Sequence, residues 1–474
     1  MDYAKLGFMC GLEIHQQLNT KKLFCECDSI LRKDKPDFKL HRNLRAMAGE
    51  TGKIDAAAAH AQAKGLSYIY EGYDSTNCLV ELDEEPPHSI NREAFDIALT
   101  MSVLLHCDIP HAVQVMRKTV VDGSNTSAFQ RTALVGLNGY LETSAGKVSI
   151  TNVCVEEDAA RRTAEDKSTV TFRLDRLGIP LIEIGTGPDI KSADQAKEVA
   201  LQIGMLLRAT GKAMRGIGTI RQDVNVSIKG HPRVELKGFQ ELRQMPETIR
   251  CEVLRQQEEL KKNKTENIKP HVRNVKPDFS SKFLRPMPGA ARMYPETDLP
   301  SFYVTKEHLS EIKRNLPELP EKKLKRLVKE GLNEDLASQL VFDDKYAKLH
   351  GRFPNLDAKL IATTLLSIQK EARKKVGQER GFFELKHFEQ IFKLLDQGKI
   401  AKEAIIDIMI AVAKGEEVSG AAKNFELLSD VKLEKEIEKL KEKFSNVPEG
   451  KLKGIIIGRL RGRADIQKVL KLLN

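Results

Sequence analysis

Tryptophan is absent from the 474 residues, and aromatic residues make up only 5% of them. We therefore expect a core built from aliphatic side chains. The segment MDYAKLGFMCGLEIH has neither the basic start nor the long apolar run of a signal peptide. The longest apolar stretch, Ile405 to Ala413, carries Asp407 and is too short to span a bilayer. With 41% hydrophobic and 30% charged residues, the composition is that of a soluble protein, and we expect a cytoplasmic location.

The cysteines are few, and their number and spacing argue against a disulfide framework, since seven are scattered along the chain. Only Cys25 and Cys27 are close enough in sequence to suggest a shared role. They would bind zinc if Cys78 and either His41 or His88 completed the ligand set. Because Cys25-Glu26-Cys27 is a CxC pair with no second pair of nearby cysteines, the interpretation we prefer is that these are ordinary reduced cysteines.

Positive charge is concentrated towards the C-terminus. Residues 301–474 hold 35 Lys and Arg against 27 Asp and Glu, whereas residues 1–300 hold 42 against 40. This distribution favours a polyanion-binding appendage on a nearly neutral body, although a Lys-rich solvated surface would give the same composition. The last 24 residues contain one acidic residue, Asp465, and seven basic ones: Lys451, Lys453, Arg459, Arg461, Arg463, Lys468 and Lys471.

Hydrophobic periodicity predicts two kinds of structure along the chain. The first 300 residues alternate short apolar and polar runs, with helices over about Arg92–Leu105 and Ser192–Thr210. Beyond Pro300 the pattern is helical almost throughout. We predict an α+β fold with a mostly antiparallel catalytic body (1–300), a helical domain (301–398) and a small helical tail domain (399–474). The polar, Lys-rich stretch 261–282 is predicted to be a linker or exposed loop. The strand candidates are Met9–Leu18, Val148–Val155, Thr169–Leu174, Ile220–Ile228 and Val234–Lys237.

Several predicted strands carry acidic side chains on one face. Residues two apart share a face of a strand, so Glu13 and His15 lie together and oppose Leu12 and Ile14. By the same rule Asp223 shares a face with Arg221, and Glu235 with Lys237. Glu156 and Glu157 end a further strand.

Oxygen ligands from several strands, with one imidazole, suit a Mg²⁺ site that holds the phosphates of ATP. The alternative is that these side chains coat the solvent side of an antiparallel sheet. Spacing alone leaves both interpretations open. A P-loop is excluded, because the sequence contains no GxxxxGK[ST].

Ten longer motifs are distributed over nearly the whole chain. From the N-terminus onward they are GLEIHQQL (11–18), LFCEC (23–27), VELDEEPPH (80–88), DGSNTSAFQRTALV (122–135), VEEDAARR (155–162), RLGIPLIEIGTGPDI (176–190), RQDVNVSI (221–228), VELKGFQEL (234–242), RPMPGAARMYPETDLP (285–300) and LRGRAD (460–465). In sequence and in order they resemble the GatB/GatE family of tRNA-dependent amidotransferase subunits. DGSNTS, FQRT and LDEEPPH resemble the archaeal-type E subunit of Glu-tRNA(Gln) amidotransferase more than the bacterial B subunit.

The resemblance implies an ATP-dependent ligase that forms a carbon–nitrogen bond. Such subunits phosphorylate the γ-carboxylate of Glu on misacylated tRNA(Gln), and ammonia then displaces the phosphate. It implies ATP and Mg²⁺ as cofactors, a tRNA-binding helical part, and an asparaginase-like D subunit that supplies ammonia within a hetero-oligomer. Matching of motifs places metal ligands at Glu13, His15, Glu156 or Glu157, Asp223 and Glu235. Arg221 and Lys237 are candidate catalytic residues that contact phosphate, because they share polar faces with Asp223 and Glu235.

The chain departs from the family pattern in three places. The stretch 261–282 stands where archaeal E subunits usually carry a large insert that resembles part of an aspartyl-tRNA synthetase. Ala128 stands where Gly is expected before FQRT, and Ile466 where Gly typically follows RGRAD. None of these positions is a proposed metal ligand, so they affect tRNA selection more than chemistry.

Two alternatives remain open at this point. One is a bacterial-type B subunit acting on Glu-tRNA or Asp-tRNA with an amidase-like A and a small C subunit, which the length and the missing insert favour. The other is a tRNA-binding protein that kept the fold but lost the chemistry.

Overall fold

The computed structural model describes residues 1–46, 52, 54, 56–239, 241–262, 268–287, 292–377, 383–445, 447–464 and 466–473. The chain forms two compact units, Met1–Pro317 and Glu318–Asn474. The first is a mostly antiparallel α+β body and the second is helical, which confirms the predicted fold class. The first unit extends beyond the predicted boundary at residue 300, because Val304 and Ile312 are buried in its core.

Sixteen strands and five helices are described in the first unit. The strands are β1 (Met9–Gln17), β2 (Phe38–Arg42), β3 (Ser67–Gly72), β4 (Ala112–Val113), β5 (Val115–Thr119), β6 (Phe129–Thr143), β7 (Gly146–Glu157), β8 (Arg161–Glu165), β9 (Thr169–Arg173), β10 (Pro180–Thr186), β11 (Ile220–Ser227), β12 (Val234–Lys237), β13 (His271–Val275), β14 (Ser281–Pro286), β15 (Met293–Pro295) and β16 (Phe302–Tyr303). The helices are α1 (Ala56–Gln62), α2 (Arg92–Leu104), α3 (Ala193–Ala209), α4 (Met245–Lys261) and α5 (Lys306–Arg314).

Ten strands form one large sheet, in the order β14-β13-β12-β11-β1-β10-β7-β6-β5-β15. Every neighbouring pair in this sheet is antiparallel except β12 and β13. A second sheet has the order β2-β3-β9-β8, and β4 pairs with β16. β1 therefore lies in the middle of the large sheet, with β11 on one side and β10 on the other.

One face of the large sheet is apolar and packs against helices. Leu12, Ile14, Val224 and Leu236 alternate with polar residues along their strands and are fully or almost fully buried. They belong to the same core as the apolar stripes of α2, α3 and α4. The sequence also predicted the bounds of α3. The Ser192 side chain caps its first turn by accepting a hydrogen bond from the amide of Gln195.

The predicted linker at 261–282 is corrected in part. β13 pairs in parallel with β12, and β14 pairs with β13 at the edge of the large sheet. The polar residues of β13 made it resemble a loop, but Val272 is fully buried and Val275 is nearly so. Pairing with β12 on one side and β14 on the other holds this polar strand in the sheet. Residues 263–267 of the predicted linker lie outside the described residues.

The second unit contains eleven described helices with two separate cores. They are α6 (Pro320–Lys329), α7 (Glu334–Leu340), α8 (Asp344–Arg352), α9 (Ala358–Thr363), α10 (Gln369–Lys375), α11 (Leu385–Asp396), α12 (Ile405–Ala413), α13 (Val418–Lys423), α14 (Asp430–Lys443), α15 (Glu449–Leu460) and α16 (Ile466–Leu473). A π-helical turn, Thr364–Ile368, joins α9 to α10. No helix in the described part of the chain is long and apolar enough to cross a membrane.

The tail of this unit starts later than the sequence predicted. Ile405 and Ile408 of α12 lie in the larger core with α6–α11, so residues 399–425 belong to the helical body. The smaller core combines α14, α15 and α16 through Leu433, Ile456 and Val469. A run of helices without strong breaks gives no sequence signal for where one core ends and the next begins.

Candidate metal and phosphate site

The polar face of the large sheet collects acidic and basic side chains from neighbouring strands. Cross-strand pairing places Glu13 of β1 opposite Asp223 of β11, and His15 opposite Glu183 of β10. Directly paired residues project to the same side of a sheet, so these four side chains share one face. The alternation predicted from sequence thus corresponds to a real surface.

The first cluster consists of Glu13, Asp223 and Glu235. One oxygen atom of each lies within 4.8 Å of the others. The Lys237 ammonium nitrogen is 2.5 Å from Asp223 Oδ2 and 2.6 Å from Glu235 Oε1. Carboxylate oxygens are the ligands that Mg²⁺ prefers, so this donor set fits a divalent cation.

The second cluster consists of His15, Glu156 and Glu183, again with one ligand atom of each within 4.8 Å of the others. His15 Nε2 is 3.4 Å from Glu183 Oε2. The Lys118 ammonium nitrogen is 2.5 Å from Glu156 Oε1 and 3.6 Å from Glu183 Oε2. Gln130 donates to Glu156 Oε2 at 3.1 Å. Two carboxylates and an imidazole also fit a divalent cation.

Burial and, after it, the neighbouring negative charges make ionisation of Glu13 and Glu156 costly. Burial raises the pKa of Glu13, and the charges of Glu235 and Glu183 raise it further. Burial also raises the pKa of Glu156, with the charge of Glu183 adding to the effect. Burial is the largest influence on Glu183 and acts in the same direction, but the charge of Lys118 and the hydrogen bond and charge of His15 together outweigh it, so the pKa of Glu183 is lowered. Carboxyl groups whose pKa is shifted by burial and by neighbouring charges are typical of functional sites.

Arg221 stands beside the clusters with much of its charge accessible. Its guanidinium donates to Asp158 Oδ1 at 2.9 Å, and the Arg221 side chain is 43% exposed. The other oxygen of Asp158 accepts a hydrogen bond from Gln17 at 2.5 Å and lies 3.7 Å from Arg176 Nε. Asp158 therefore orients Arg221 while sharing its own charge with Arg176, which leaves Arg221 suited to contact an anion.

Glu157, the alternative to Glu156 in the predicted ligand set, does not lie in either cluster. Adjacent residues of a strand point to opposite faces, so Glu157 projects away from Glu156. Its carboxylate accepts a hydrogen bond from the Arg131 amide at 3.1 Å and lies 3.4 Å from the Arg131 guanidinium. Arg131 in turn donates to Glu296 at 2.8 Å. Glu157 thus belongs to a buried ion-pair network.

A cavity of about 790 Å³ opens over both clusters. The large sheet contributes its charged side chains, including Lys118, Lys237 and Arg221. The second sheet contributes an apolar wall that includes Tyr68 and Phe172. Further arginines that line the cavity are Arg162, Arg176, Arg233, Arg285 and Arg292. A space of this size, lined by charged side chains and by aromatic rings, is suited to a nucleotide-like ligand.

Sequence reasoning missed two members of the site, Glu183 and Lys118. Glu183 lies between Ile182 and Ile184 in a strand that reads as core, and only strict alternation within Pro180–Thr186 marks it. Lys118 lies in β5, which is paired with β6 rather than with the strands that carry the clusters. Lys118 contacts the second cluster only because of the tertiary arrangement, so the sequence around Lys118 does not predict this contact.

A third group of possible ligands forms around the cysteines. Cys25, Cys27, Cys78 and Glu81 place one ligand atom each within 4.8 Å of one another. Among the described residues, neither His41 nor His88 belongs to such a group. Cys25 Sγ donates to Glu81 Oε1 at 2.8 Å. Three thiols and a carboxylate fit tetrahedral zinc, with Glu81 in the place that a zinc site in the sequence would have required His41 or His88 to fill.

Comparison with known proteins agrees with these features. Residues 8–310 match the family described as the GatB/GatE catalytic domain. The chain belongs to the GatB/GatE family. It is 37% identical over 614 aligned positions to the E subunit of Glutamyl-tRNA(Gln) amidotransferase from Methanocaldococcus jannaschii, covering 98% of this chain and 97% of that one. Identity to the E subunit from Saccharolobus solfataricus is 34%, covering 100% of this chain and 98% of that one.

The alignments with these relatives are longer than this chain, as expected if the chain lacks the large insert that archaeal E subunits usually carry. The E subunit from Methanococcus maripaludis strain C7 is 36% identical over 630 positions, covering 99% of both chains. With 474 residues, this chain leaves at least 140 positions of the Methanocaldococcus jannaschii alignment without a counterpart. The chain is therefore similar to archaeal E subunits but shorter than them.

Proposed function

We propose that this chain is the kinase and transamidase subunit of an archaeal-type amidotransferase that converts Glu-tRNA(Gln) into Gln-tRNA(Gln) with ATP. The observation that carries the proposal is the pair of clusters on one sheet face, each with three ligand atoms within 4.8 Å and each contacted by a lysine. A binding module has no use for concentrated negative charge beside a polyanion. A phosphoryl-transfer site needs it to hold divalent cations.

The reaction balances in two steps. The γ-carboxylate oxygen of Glu attacks the γ-phosphorus of ATP, ADP leaves, and an acyl phosphate forms. Ammonia then attacks the acyl carbon, phosphate leaves with the bonding pair, and one proton passes to solvent. The first step is needed because a carboxylate is a poor acyl donor until its oxygen becomes a phosphate leaving group. No covalent enzyme nucleophile takes part.

The position of each residue in the cavity determines the role we assign to it. Glu13, Asp223 and Glu235 on one side, and His15, Glu156 and Glu183 on the other, would hold Mg²⁺. When bound, Mg²⁺ neutralises charge on the transferring phosphoryl group. Arg221 and Lys237 contact phosphate oxygens, since both line the cavity next to the clusters. The apolar wall of the cavity receives the nucleoside.

The remaining parts of the assembly follow from the relatives. Similarity to E subunits implies an enzyme of several chains, and we assign the supply of ammonia to an asparaginase-like D subunit. An amidase-like A subunit with a small C subunit is the arrangement expected of a bacterial-type B subunit, which the similarity to archaeal E subunits disfavours. The reaction consumes ATP and acts on a charged tRNA, and we place it in the cytoplasm.

Binding of the tRNA is assigned to the helical unit and its basic tail. Lys451, Arg459 and Arg461 are exposed on or next to α15. Ile456 and Leu460 of the same helix are buried, so the apolar residues form core while the basic ones face solvent. Such a surface suits contacts to the phosphate backbone of tRNA.

The phosphorylation step is tested by the release of ADP. We expect Glu-tRNA(Gln) to stimulate ADP formation while uncharged tRNA does not, because the acceptor is the γ-carboxylate. Asp223→Asn and Glu183→Gln each should lower this rate by roughly 10²-fold, since each removes charge on which the cation depends. The matched control is Glu142→Gln, whose side chain is 66% exposed on β6 and lies outside the cavity.

The alternative of a tRNA-binding protein without chemistry gives a different result. It predicts tight binding of tRNA with no ADP above background in any variant. Equal ADP formation by the native chain and Asp223→Asn would likewise show that the clusters do not carry the reaction.

A further inference from the structure

Each acidic cluster is contacted by one lysine whose ion pairs, among the described residues, all lie within that cluster. The Lys237 ammonium nitrogen lies between Asp223 Oδ2 and Glu235 Oε1, at 2.5 and 2.6 Å. The Lys118 ammonium nitrogen lies between Glu156 and Glu183, at 2.5 and 3.6 Å. These two lysines come from different strands, β12 and β5, yet make the same arrangement. Both side chains are largely buried, being 29% and 12% exposed.

The lysines occupy the space that a metal ion would need. Mg²⁺ binds carboxylate oxygens at about 2.0–2.1 Å and demands nearly octahedral geometry. An ammonium group already bridging two carboxylates prevents both of them from turning towards the same ion. The ammonium group and the metal ion would also repel each other at short range, because charges inside a protein are screened less than charges in water.

Both ammonium groups have room to move into the cavity. Their side chains line the cavity together with the clusters, so rotation of the flexible four-carbon stem moves the ammonium group into the cavity without crossing the sheet. A phosphate group bound over the clusters offers oxygen atoms to receive it. Lysine is a common phosphate ligand that acts as a point charge.

We propose that Lys118 and Lys237 are displaceable counter-ions that neutralise the two clusters until divalent cations enter, and then transfer their ammonium groups to phosphate oxygens of the nucleotide. This inference rests on the proposed function, because it assigns the clusters to metal and the cavity to ATP. It goes beyond it by naming Lys118 as a phosphate-contacting residue and by coupling two binding events. Metal alone must displace a lysine that finds no new partner, whereas metal with nucleotide provides one.

The coupling is measured by binding, without turnover. Free Mn²⁺ is followed by electron paramagnetic resonance for the native chain, Lys237→Met and Lys118→Met in the absence of nucleotide. Affinity for the β,γ-methylene analogue of ATP is then measured by calorimetry at saturating Mn²⁺. Lys147→Met is the control, since Lys147 belongs to the same sheet, is 60% exposed, pairs with Glu142 and lies outside the cavity.

Opposite shifts in the two affinities are expected. Each cavity variant should bind Mn²⁺ about tenfold more tightly than the native chain and the ATP analogue about tenfold more weakly, as for a typical coupling between two ligands. Lys147→Met should change neither affinity. Thermal melts show whether each variant is folded, and either lysine tests the proposal alone if the other variant fails to fold.

Two results would overturn the inference. Unchanged or weaker Mn²⁺ binding in both variants would mean that the lysines do not compete with metal. Tighter Mn²⁺ binding with unchanged affinity for the analogue would mean that they neutralise the clusters without reaching phosphate. Failure of the proposed function is distinguishable: neither the native chain nor the variants would then bind Mn²⁺ in a manner that Asp223→Asn reduces.

Discussion

Single residues in this site owe their roles to the side of the strand on which they lie. Glu156 and Glu157 have the same chemistry and adjacent positions, yet Glu156 joins a metal-competent cluster and Glu157 pairs with Arg131. A shift of one residue moves a side chain to the other face of a sheet. Motif matching placed both glutamates near the site, and only the structure separates them.

Ala128 illustrates a departure from the family pattern with a measurable cost. Its φ is 62°, in the left-handed region that favours glycine, which is the residue expected there from the resemblance. We predict that Ala128→Gly raises the free energy of unfolding by about 0.5–1 kcal/mol, since relief of backbone strain exceeds the added entropy of the unfolded chain.

Urea denaturation checks this change, with Ala133→Gly as the control. Ala133 is fully buried in β6, and glycine there should destabilise the protein. An Ala128→Gly variant no more stable than the native chain would contradict the strain argument.

The group of thiols leads to a second prediction at this scale. Because Cys25, Cys27, Cys78 and Glu81 bring four ligand atoms together, we expect the purified chain to hold about one zinc ion. Cys78→Ser should lose it in a measurement by plasma mass spectrometry. Cys251→Ser should retain it, because Cys251 lies on α4 outside this group. A native chain free of zinc after growth with zinc would support the ordinary reduced cysteines predicted from the sequence.

Among whole elements, those with strict periodicity could be predicted from sequence. β1, β11 and β12 were found because apolar and polar residues alternate, and α3 because Ser192 and Gly211 mark its ends. β13 was not found, since its pairing with β12 depends on residues more than thirty positions away. Glu183 was not predicted as a site residue for a related reason. Its partner His15 is distant in sequence, so only the folded sheet reveals their contact.

β15 is held to the large sheet next to a buried ion pair that should determine acid stability. Glu296 is 2% exposed and accepts hydrogen bonds from Arg117 and Arg131. Burial opposes its ionisation, but the two guanidinium groups lower the pKa of Glu296 from 4.5 to about 2. A carboxyl group with a lowered folded pKa contributes stability above pH 4.5 and loses it as the pH falls towards 2.

We predict that Glu296→Gln lowers the free energy of unfolding by about 3 kcal/mol at pH 7, because it removes the buried carboxylate that Arg117 and Arg131 share. The difference from the native chain should shrink as the pH falls from 4.5 towards 2, the range in which Glu296 itself becomes protonated. Urea titrations at pH 7 and pH 3 measure this. Asp298→Asn is the control, since Asp298 also contacts Arg117 but is 46% exposed. A constant difference between Glu296→Gln and the native chain would contradict the assignment.

At the scale of the whole molecule, the catalytic body and the helical unit carry different parts of the proposed reaction. Every residue of the two clusters lies in the first unit, and the basic tail lies in the second. The resemblance predicted the metal ligands, and the cross-strand register explains why these side chains meet. The relatives are longer than this chain, so in the proposed reaction the tRNA would be selected by the regions that this chain shares with them.

The central claim is tested most directly by supplying ammonia without a partner. The purified chain is mixed with Glu-tRNA(Gln), ATP, Mg²⁺ and ammonium chloride, and the aminoacyl group is released by mild base and identified. We predict that Gln forms only when ATP and Mg²⁺ are present, and that Asp223→Ala abolishes it. If the native chain binds the tRNA but produces neither Gln nor ADP, even with the ammonia-producing subunit present, the enzymatic account is wrong.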